Sequence, residues 1–429
     1  MILIKNVTAI TLVTGKVLRN ADILIEKDKI VYVGTTKEHK RKFEKVIDGS
    51  SFLALPGFVN THSHLAMTLM RGYGEGCSLQ NWLNYFIYPI EEKLTEDDIY
   101  FGTLLALIES VKTGSTTVSD FYIFPHKSVQ AVKEVGLRAN IGFSLASKPG
   151  LDLLLLKKAE DFVSKFNGIE NGRLLASFAT HAPYSCTVRL LKETAKVASN
   201  MDSIIQIHLH ETKKEITDYK KIHQVSPIEK LEEIDFFKAQ VLAAHCVHVS
   251  ESEIKVLKDN KVGISLNPQS NLKLGSGIPM VDKLFKEHLK ISVGTDGPSS
   301  NNNLSILEDL RLIALLAKGT SMEPDLIKPL EALRIGTVNG AINLGFKNVG
   351  LLKEGFKADL ILVDKNNVNF MPETDYLSHV IYSMYPTDVD YMLVDGNLIM
   401  ENKKLITIDE EEVKREFQKH HKKLSKFSQ

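Results

Sequence analysis

Cysteine is scarce in this chain. Three residues in 429, Cys77, Cys186 and Cys246, cannot build a disulfide framework. That usage fits a reducing compartment, so a cytoplasmic location is expected. A surplus of either charge is also missing, since 53 basic residues balance 53 acidic ones. There is no global basic field to draw nucleic acid and no acidic tail, which leaves a small, locally recognised partner as the expectation. No apolar run approaches the roughly 18 residues of a membrane span. The amino-terminal MILIKNVTAITLV alternates like a strand and lacks the small-residue cleavage site of a signal peptide. A soluble protein with no membrane partner is expected. Repeats and low-complexity segments are absent. The length exceeds what one small core serves, which points either to one large α/β barrel with an appendage or to two or three smaller domains.

What is present begins with short, turn-separated strand patterns at Ile2–Ile4, Ala21–Glu26, Lys29–Val33 and Lys45–Asp48. From Phe58 the rhythm changes. Apolar runs with helical patterns between them recur at Phe58–His64, Thr116–Phe121, Ala139–Leu145, Leu174–His181, Ile204–His208, Val241–His245, Val262–Asn267 and Ile291–Asp296. Eight strands alternating with helices is the count of a (β/α)₈ barrel. Thr95-Glu96-Asp97-Asp98 resembles a capping box with Asp in place of Glu, and Thr187 is placed to cap Val188–Ala198. A doubly wound sheet would want a Gly-rich phosphate turn after its first strand, and none follows Phe58. After Gly350 the short-strand rhythm returns at Asp359–Val363, Tyr391–Val394 and Asn397–Met400. Asp409–Phe427 then reads as a docking helix with acidic residues first and basic residues last. Residues 1–55 and 350–429 are expected to form a composite β-sandwich beside a catalytic barrel of residues 56–349.

The stretch around which the chain is organised is Pro56-Gly57-Phe58-Val59-Asn60-Thr61-His62-Ser63-His64. On a strand, His62 and His64 project to the same face and can share one ion. Alone, a His-x-His among fourteen histidines decides little. However, the fourth run reaches His181, the fifth reads His208-Leu209-His210-Glu211, the sixth ends His245-Cys246-Val247-His248 and the eighth ends Thr295-Asp296. All fall at the carboxyl ends of strands, where such barrels keep their chemistry. The His-x-His pair, the further strand-end histidines and Asp296 together supply a three-imidazole, one-carboxylate pocket for a single divalent ion, while His210 and His248 are read as structural. Glu211 lies three residues past His208, and strict alternation would turn it away. From spacing alone it is equally a surface glutamate or a proton carrier, although activation of water calls for a carboxylate near the ion.

These residues also carry a resemblance. The first motif, together with Leu266-Asn267-Pro268-Gln269-Ser270-Asn271-Leu272-Lys273-Leu274 and with Gly294-Thr295-Asp296-Gly297 followed by Ser299-Ser300-Asn301-Asn302, resembles the amidohydrolase superfamily and, more narrowly, its triazine hydrolase and nucleoside deaminase branch. The resemblance implies one zinc or iron ion on His62, His64, His208 and Asp296, with Asp296 also accepting a proton from water. It implies Glu211 as proton donor to a purine ring nitrogen and His245 as the group that orients the attacking oxygen. Trp82 would wall the purine, Glu91 would take the ribose hydroxyls, and Arg138, His181 and Ser300 would line the rest of a nucleoside site. Without the family, packing or helix-surface roles would be the default for Trp82, Glu91 and Arg138. His181, with no lysine on its strand, implies a mononuclear site. Relatives that take S-adenosylhomocysteine well are expected to carry a second arginine shortly after the Arg138 position. Here Asn140 to Lys157 offers only Lys148, which cannot make the bidentate fork.

The implied activity is metal-dependent deamination of adenosine-type nucleosides by a chain expected to self-associate into a homo-oligomer. Deamination of guanine or cytosine bases and triazine-type chlorohydrolysis share the same constellation. A non-catalytic scaffold of this fold would be expected to have lost ligands that this chain keeps. The Cys-rich metal signature of polynucleotide-editing deaminases is absent, so nucleic acid is not the expected substrate.

Overall fold

The computed structural model describes residues 1–427. Eight parallel strands, Phe58–Asn60, Ser115–Tyr122, Arg138–Leu145, Leu174–Thr180, Ile205–Leu209, Val241–His245, Gly263–Leu266 and Lys290–Val293, lie side by side in chain order. That order excludes a doubly wound sheet, whose strand order reverses part-way. The first and last strands meet through the segments just beyond them: Thr61 N–H donates to the Val293 carbonyl (3.0 Å) and Asp296 N–H to that of His62 (2.9 Å). The result is a nearly closed (β/α)₈ barrel.

The helices between the strands begin and end where side-chain chemistry dictates. Thr95 and Asp98 form a reciprocal capping box at the start of Glu96–Lys112, and Gly114, at φ 90°, turns the chain into the next strand. Thr187 accepts from Leu190 N–H to start Val188–Asn200. Strand residues that face the helices are apolar, as in Ile205, Ile207 and Leu209. Those facing inward are small and polar. Ser119 donates to Gln206 (2.8 Å), Gln206 to Ser177 (2.9 Å) and Thr61 to Ser265 (2.7 Å), giving a hydrogen-bonded floor beneath the barrel mouth.

Both ends of the chain share a second sheet of nine strands, in the order Lys404–Leu405, Asn397–Glu401, Val389–Val394, Leu360–Asp364, Phe52–Pro56, Ile2–Ile10, Val17–Glu26 and Lys29–Thr35, with Lys45–Asp48 also pairing with Ile2–Ile10. Phe52–Pro56 pairs antiparallel with Leu360–Asp364, and this joins the two termini. Side chains alternate between two cores. Leu53, Leu55, Ile361 and Val363 pack with the barrel, while Ala54, Leu360 and Leu362 join Ile4, Ile23 and Leu393 in a separate cluster. The terminal helix is Glu410–Leu424, capped by Asp409. It lies on Glu96–Lys112, where His420 Nδ1 meets Asp98 (2.5 Å) and His421 Nδ1 donates to the Leu69 carbonyl (3.0 Å).

Two expectations need correction, and one strand comes in addition. Phe52–Pro56 is a strand of its own, separated from the barrel at Gly57, where a Cβ would stand 2.1 Å from the Thr116 side chain. The first barrel strand stops at Asn60, so His62 and His64 sit on the segment beyond it. Arg138 opens its strand at the amino end of the barrel, opposite the mouth, and cannot line a substrate site. There its guanidinium is buried and bonded to Asp359 (2.5 and 3.1 Å) and Asp395 (2.6 Å), which pins the second sheet to the barrel. Removing it leaves two buried carboxylates uncompensated. Arg138→Met should therefore lower the unfolding free energy by about 3–5 kcal/mol, read as a shifted urea midpoint. An unchanged midpoint would show that the carboxylates do not need it.

Candidate metal centre and active site

His62, His64, His208, His245 and Asp296 converge at the carboxyl ends of the strands. One ligating atom each from His62, His208, His245 and Asp296 lies within 4.8 Å of the others. His64 Nε2 completes the ring, 3.2 Å from His208 Nε2 and 3.4 Å from Asp296 Oδ1. His62 Nε2 is also 3.4 Å from Asp296 Oδ1 and is buried with no hydrogen-bond partner. The far sides of two rings decide what the near sides offer. His64 Nδ1 faces the Phe121 carbonyl (2.8 Å) and His208 Nδ1 the His181 carbonyl (2.7 Å). A carbonyl only accepts, so both protons sit on Nδ1 and both Nε2 lone pairs point inward. In the neutral rings two lone pairs then face each other at 3.2 Å with no proton between them. A cation removes that conflict, and these residues fit a single divalent ion. Burial keeps the rings neutral, as ligation requires: it lowers His62 to about 4 and holds His208 well below the usual histidine range.

The motif residues prove to be the support of this cluster. Asp296 Oδ2 accepts from Ser270 (2.6 Å) and Ser300 (2.8 Å), which leaves Oδ1 for the centre. Burial pushes the Asp296 carboxyl up, but His62, His245 and His64 outweigh it and hold the group well below the ordinary value. Ser300 is thus bonded to Asp296 and is not a lining residue of the chamber, which corrects its expected place in the nucleoside site. Asn271 Nδ2 lies 2.9 Å from His245 Nδ1. Asn60 and Thr295 bond to each other twice (2.8 and 3.1 Å), locking the first motif to the last. Gly294 is obligatory here, because a Cβ would stand 2.6 Å from His62 N.

Glu211 reaches the site because the chain curls after the fifth strand. His210 has φ 52°, a left-handed conformation that costs a residue with a Cβ on the order of 1–3 kcal/mol and reverses the expected alternation. The Glu211 carboxyl then lies 3.8 Å from His245 Nε2 and accepts from Ser276 (3.3 Å). Burial, and then the charge of Asp296, raises it to about 8, so it holds its proton near neutrality. His210 and His248 point elsewhere. His210 Nδ1 meets the His248 carbonyl (2.9 Å) and His248 Nε2 the Ser276 carbonyl (2.7 Å).

A chamber of about 330 Å³ opens above the cluster, and Trp82, Glu91 and His181 line it. Sequence reasoning missed Phe121, Tyr122, Ser144, Tyr88 and Tyr184, which line it too. Nothing in their local pattern distinguishes them from packing residues. Burial raises Glu91, opposed by the Tyr122 hydroxyl that donates to it. No lysine or arginine is among the lining residues.

Residues 53–399 match the amidohydrolase family. The chain belongs to the amidohydrolase family. Among the relatives of this amidohydrolase, the 5-methylthioadenosine/S-adenosylhomocysteine deaminase of Dictyoglomus turgidum is 42% identical, over 97% of each chain. The 5'-deoxyadenosine deaminase of Methanocaldococcus jannaschii is 38% identical over 96% of this chain and 97% of that one. A zinc-bound adenosine deaminase structure from Xanthomonas campestris superposes with a TM-score of 0.93 at 26% identity, over 99% and 98% of the two chains. The atrazine chlorohydrolase of Arthrobacter aurescens shares the fold, with a TM-score of 0.91 at 24% identity over 98% of this chain and all of that one.

The purified amidohydrolase should carry about one divalent ion per chain, and His208→Ala or Asp296→Ala should abolish it, as counted by plasma mass spectrometry. Full metal content in both variants would exclude these ligands.

Proposed function

We propose that this chain is a metal-dependent hydrolytic deaminase of adenosine-type nucleosides that releases ammonia and the inosine analogue. The observation that carries this reading is the presence, in one 330 Å³ chamber, of the imidazole–aspartate cluster and of a glutamic acid raised to about 8. Relatives named for 5-methylthioadenosine, S-adenosylhomocysteine and 5'-deoxyadenosine support the substrate class. The ion is assigned as one zinc, in keeping with the zinc-bound structure at 26% identity, held by His62, His64, His208 and Asp296. Such an ion supplies the Lewis acidity that makes water nucleophilic at neutral pH.

The chain's own residues then carry the protons. Water attacks C6 of the purine while Glu211 gives its proton to ring N1, and Asp296 takes a proton from the water. His245 orients the attacking oxygen, aided by the contact between Asn271 and its Nδ1. Asp296 passes its proton to the amino group, the C6–N bond breaks and ammonia leaves. The hydroxyl proton returns to Glu211 and restores it. Glu91 is assigned to the ribose hydroxyls, and Trp82 and His181 to the walls around the nucleoside. The same reading takes the chain as cytosolic, in line with three free cysteines, and as self-associating, in line with exposed Leu151, Leu153 and Leu154.

Glu211→Gln should keep the metal but lose roughly 10²–10⁴-fold in kcat, the usual weight of a positioned acid–base group. Near-normal ammonia release would refute the role, and loss of the metal would mark Glu211 as a ligand.

The substrate prediction follows from the chamber's charge. A carboxylate on the 5' substituent finds no cation there, and a buried polar group left unpaired costs on the order of 1–3 kcal/mol. Adenosine, 5'-deoxyadenosine and 5'-methylthioadenosine should therefore be turned over with higher kcat/KM than S-adenosylhomocysteine. Free adenine and 2'-deoxyadenosine should be poor substrates, and Glu91→Ala should erase that ribose preference. A tenfold preference for S-adenosylhomocysteine, or an unchanged ribose preference in Glu91→Ala, would overturn the assignment of the pocket.

A further inference from the structure

Five of the described helices open with the same sequence signature, a Ser or Thr followed three residues later by an acid. In three of them, Thr95/Asp98, Ser226/Glu229 and Ser250/Glu253, the acid folds back onto the N–H of its own cap residue. Two depart: Glu308, three residues after Ser305, accepts from the Gln269 and Asn303 side chains instead, and Thr212-Lys213-Lys214-Glu215 departs in another way. Thr212 accepts from Glu215 N–H (3.1 Å) as usual, but the Glu215 carboxylate reaches past the cap. Its Oε1 accepts from His210 N–H (3.1 Å) and its Oε2 from Glu211 N–H (2.9 Å). Glu215 is buried and makes no ion pair among the described residues, an expensive placement for a carboxylate that serves only a helix start.

The two peptide groups it holds are those of the curl. His210 is the left-handed residue that turns Glu211 toward the chamber, and its carbonyl is tied from the other side by the N–H groups of Val247 (3.0 Å) and His248 (3.1 Å). A conformation of this kind persists only where its surroundings over-determine it. We propose that Glu215 is a positioning residue: by accepting both N–H groups it fixes the strained turn and thereby the direction of the Glu211 carboxyl. The proposal rests on the proton-transfer role given to Glu211 above.

Glu215→Gln is nearly isosteric, but it keeps only one acceptor oxygen and turns an NH₂ against a peptide N–H. Its test uses the metal-loaded full chain with adenosine as substrate. The variant should keep its metal and melting temperature. It should lose roughly 10–100-fold in kcat with KM within about threefold, because misplacement of a catalytic group is felt in the chemical step. In a Glu211→Gln background the same change should cost less than about twofold, because the residue acts through Glu211. Amide exchange at His210 and Glu211 should speed up, a readout independent of turnover. Wild-type protein that releases no ammonia from any nucleoside would sink the deaminase reading, and exchange would still judge the clamp. Unchanged exchange, an unchanged kcat, a full multiplicative loss in the double variant, or loss of metal or fold would each overturn the positioning role.

Discussion

Two imidazole nitrogens that face each other without a proton between them are the constraint on which the rest of this structure depends. The carbonyls of Phe121 and His181 draw the protons of His64 and His208 to the outer side of each ring, and the barrel brings the inner nitrogens to 3.2 Å. Such a pair is repulsive by itself. It becomes attractive around a cation, and Asp296 Oδ1, held nearby by two serine hydroxyls on its other oxygen, supplies the balancing charge. Asn271 beside His245 and the Ser270 and Ser300 hydroxyls on Asp296 answer the same need. Buried ligands must be oriented by further hydrogen bonds, and a purely aliphatic barrel interior could not provide them.

The groups that carry chemistry sit where the backbone leaves regular strand geometry. His210, His245, Cys246 and Asp296 all have positive φ. Each lies at or just beyond the end of a strand. Strand alternation delivers His208 to the axis, but Glu211 arrives only through a left-handed residue, and Asp296 only where glycines on either side allow close approach to His62 and Met67. Local strain thus serves aiming, and it is held by motif hydrogen bonds at Asp296 and by Glu215, Val247 and His248 at His210.

That division explains what could be read in advance. The eight barrel strands were legible because strands buried on both faces are continuous apolar runs, and the His/Asp cluster was legible because polar residues interrupt those runs at one end. Phe52–Pro56 was not, because the apolar run continues through Gly57 and only the crowding of Thr116 shows where one sheet stops. Arg138 was misplaced for a geometric reason. It is the first residue of an eight-residue strand, and at about 3.3 Å per residue that sets it roughly 23 Å from the mouth. A resemblance carries positions along a chain, and it cannot say to which end of a strand an unaligned side chain belongs. Ser270 and Asn271 stood inside a recognised motif, yet their partners, Asp296 and His245, are both 26 residues away, and no local pattern announces such contacts.

The electrostatics of the chamber follow from these placements. Glu91, Glu211 and Asp296 line one chamber that has no lysine or arginine in its wall, so burial works against all three. They escape the penalty in different ways. Asp296 is held ionised by the surrounding histidines, Glu211 keeps a proton up to about 8, and Glu91 leans on the Tyr122 hydroxyl. Two carboxyl groups in one cavity are thereby driven to opposite protonation states, because the histidines outweigh burial at Asp296 whereas burial and the charge of Asp296 outweigh the Ser276 hydroxyl at Glu211.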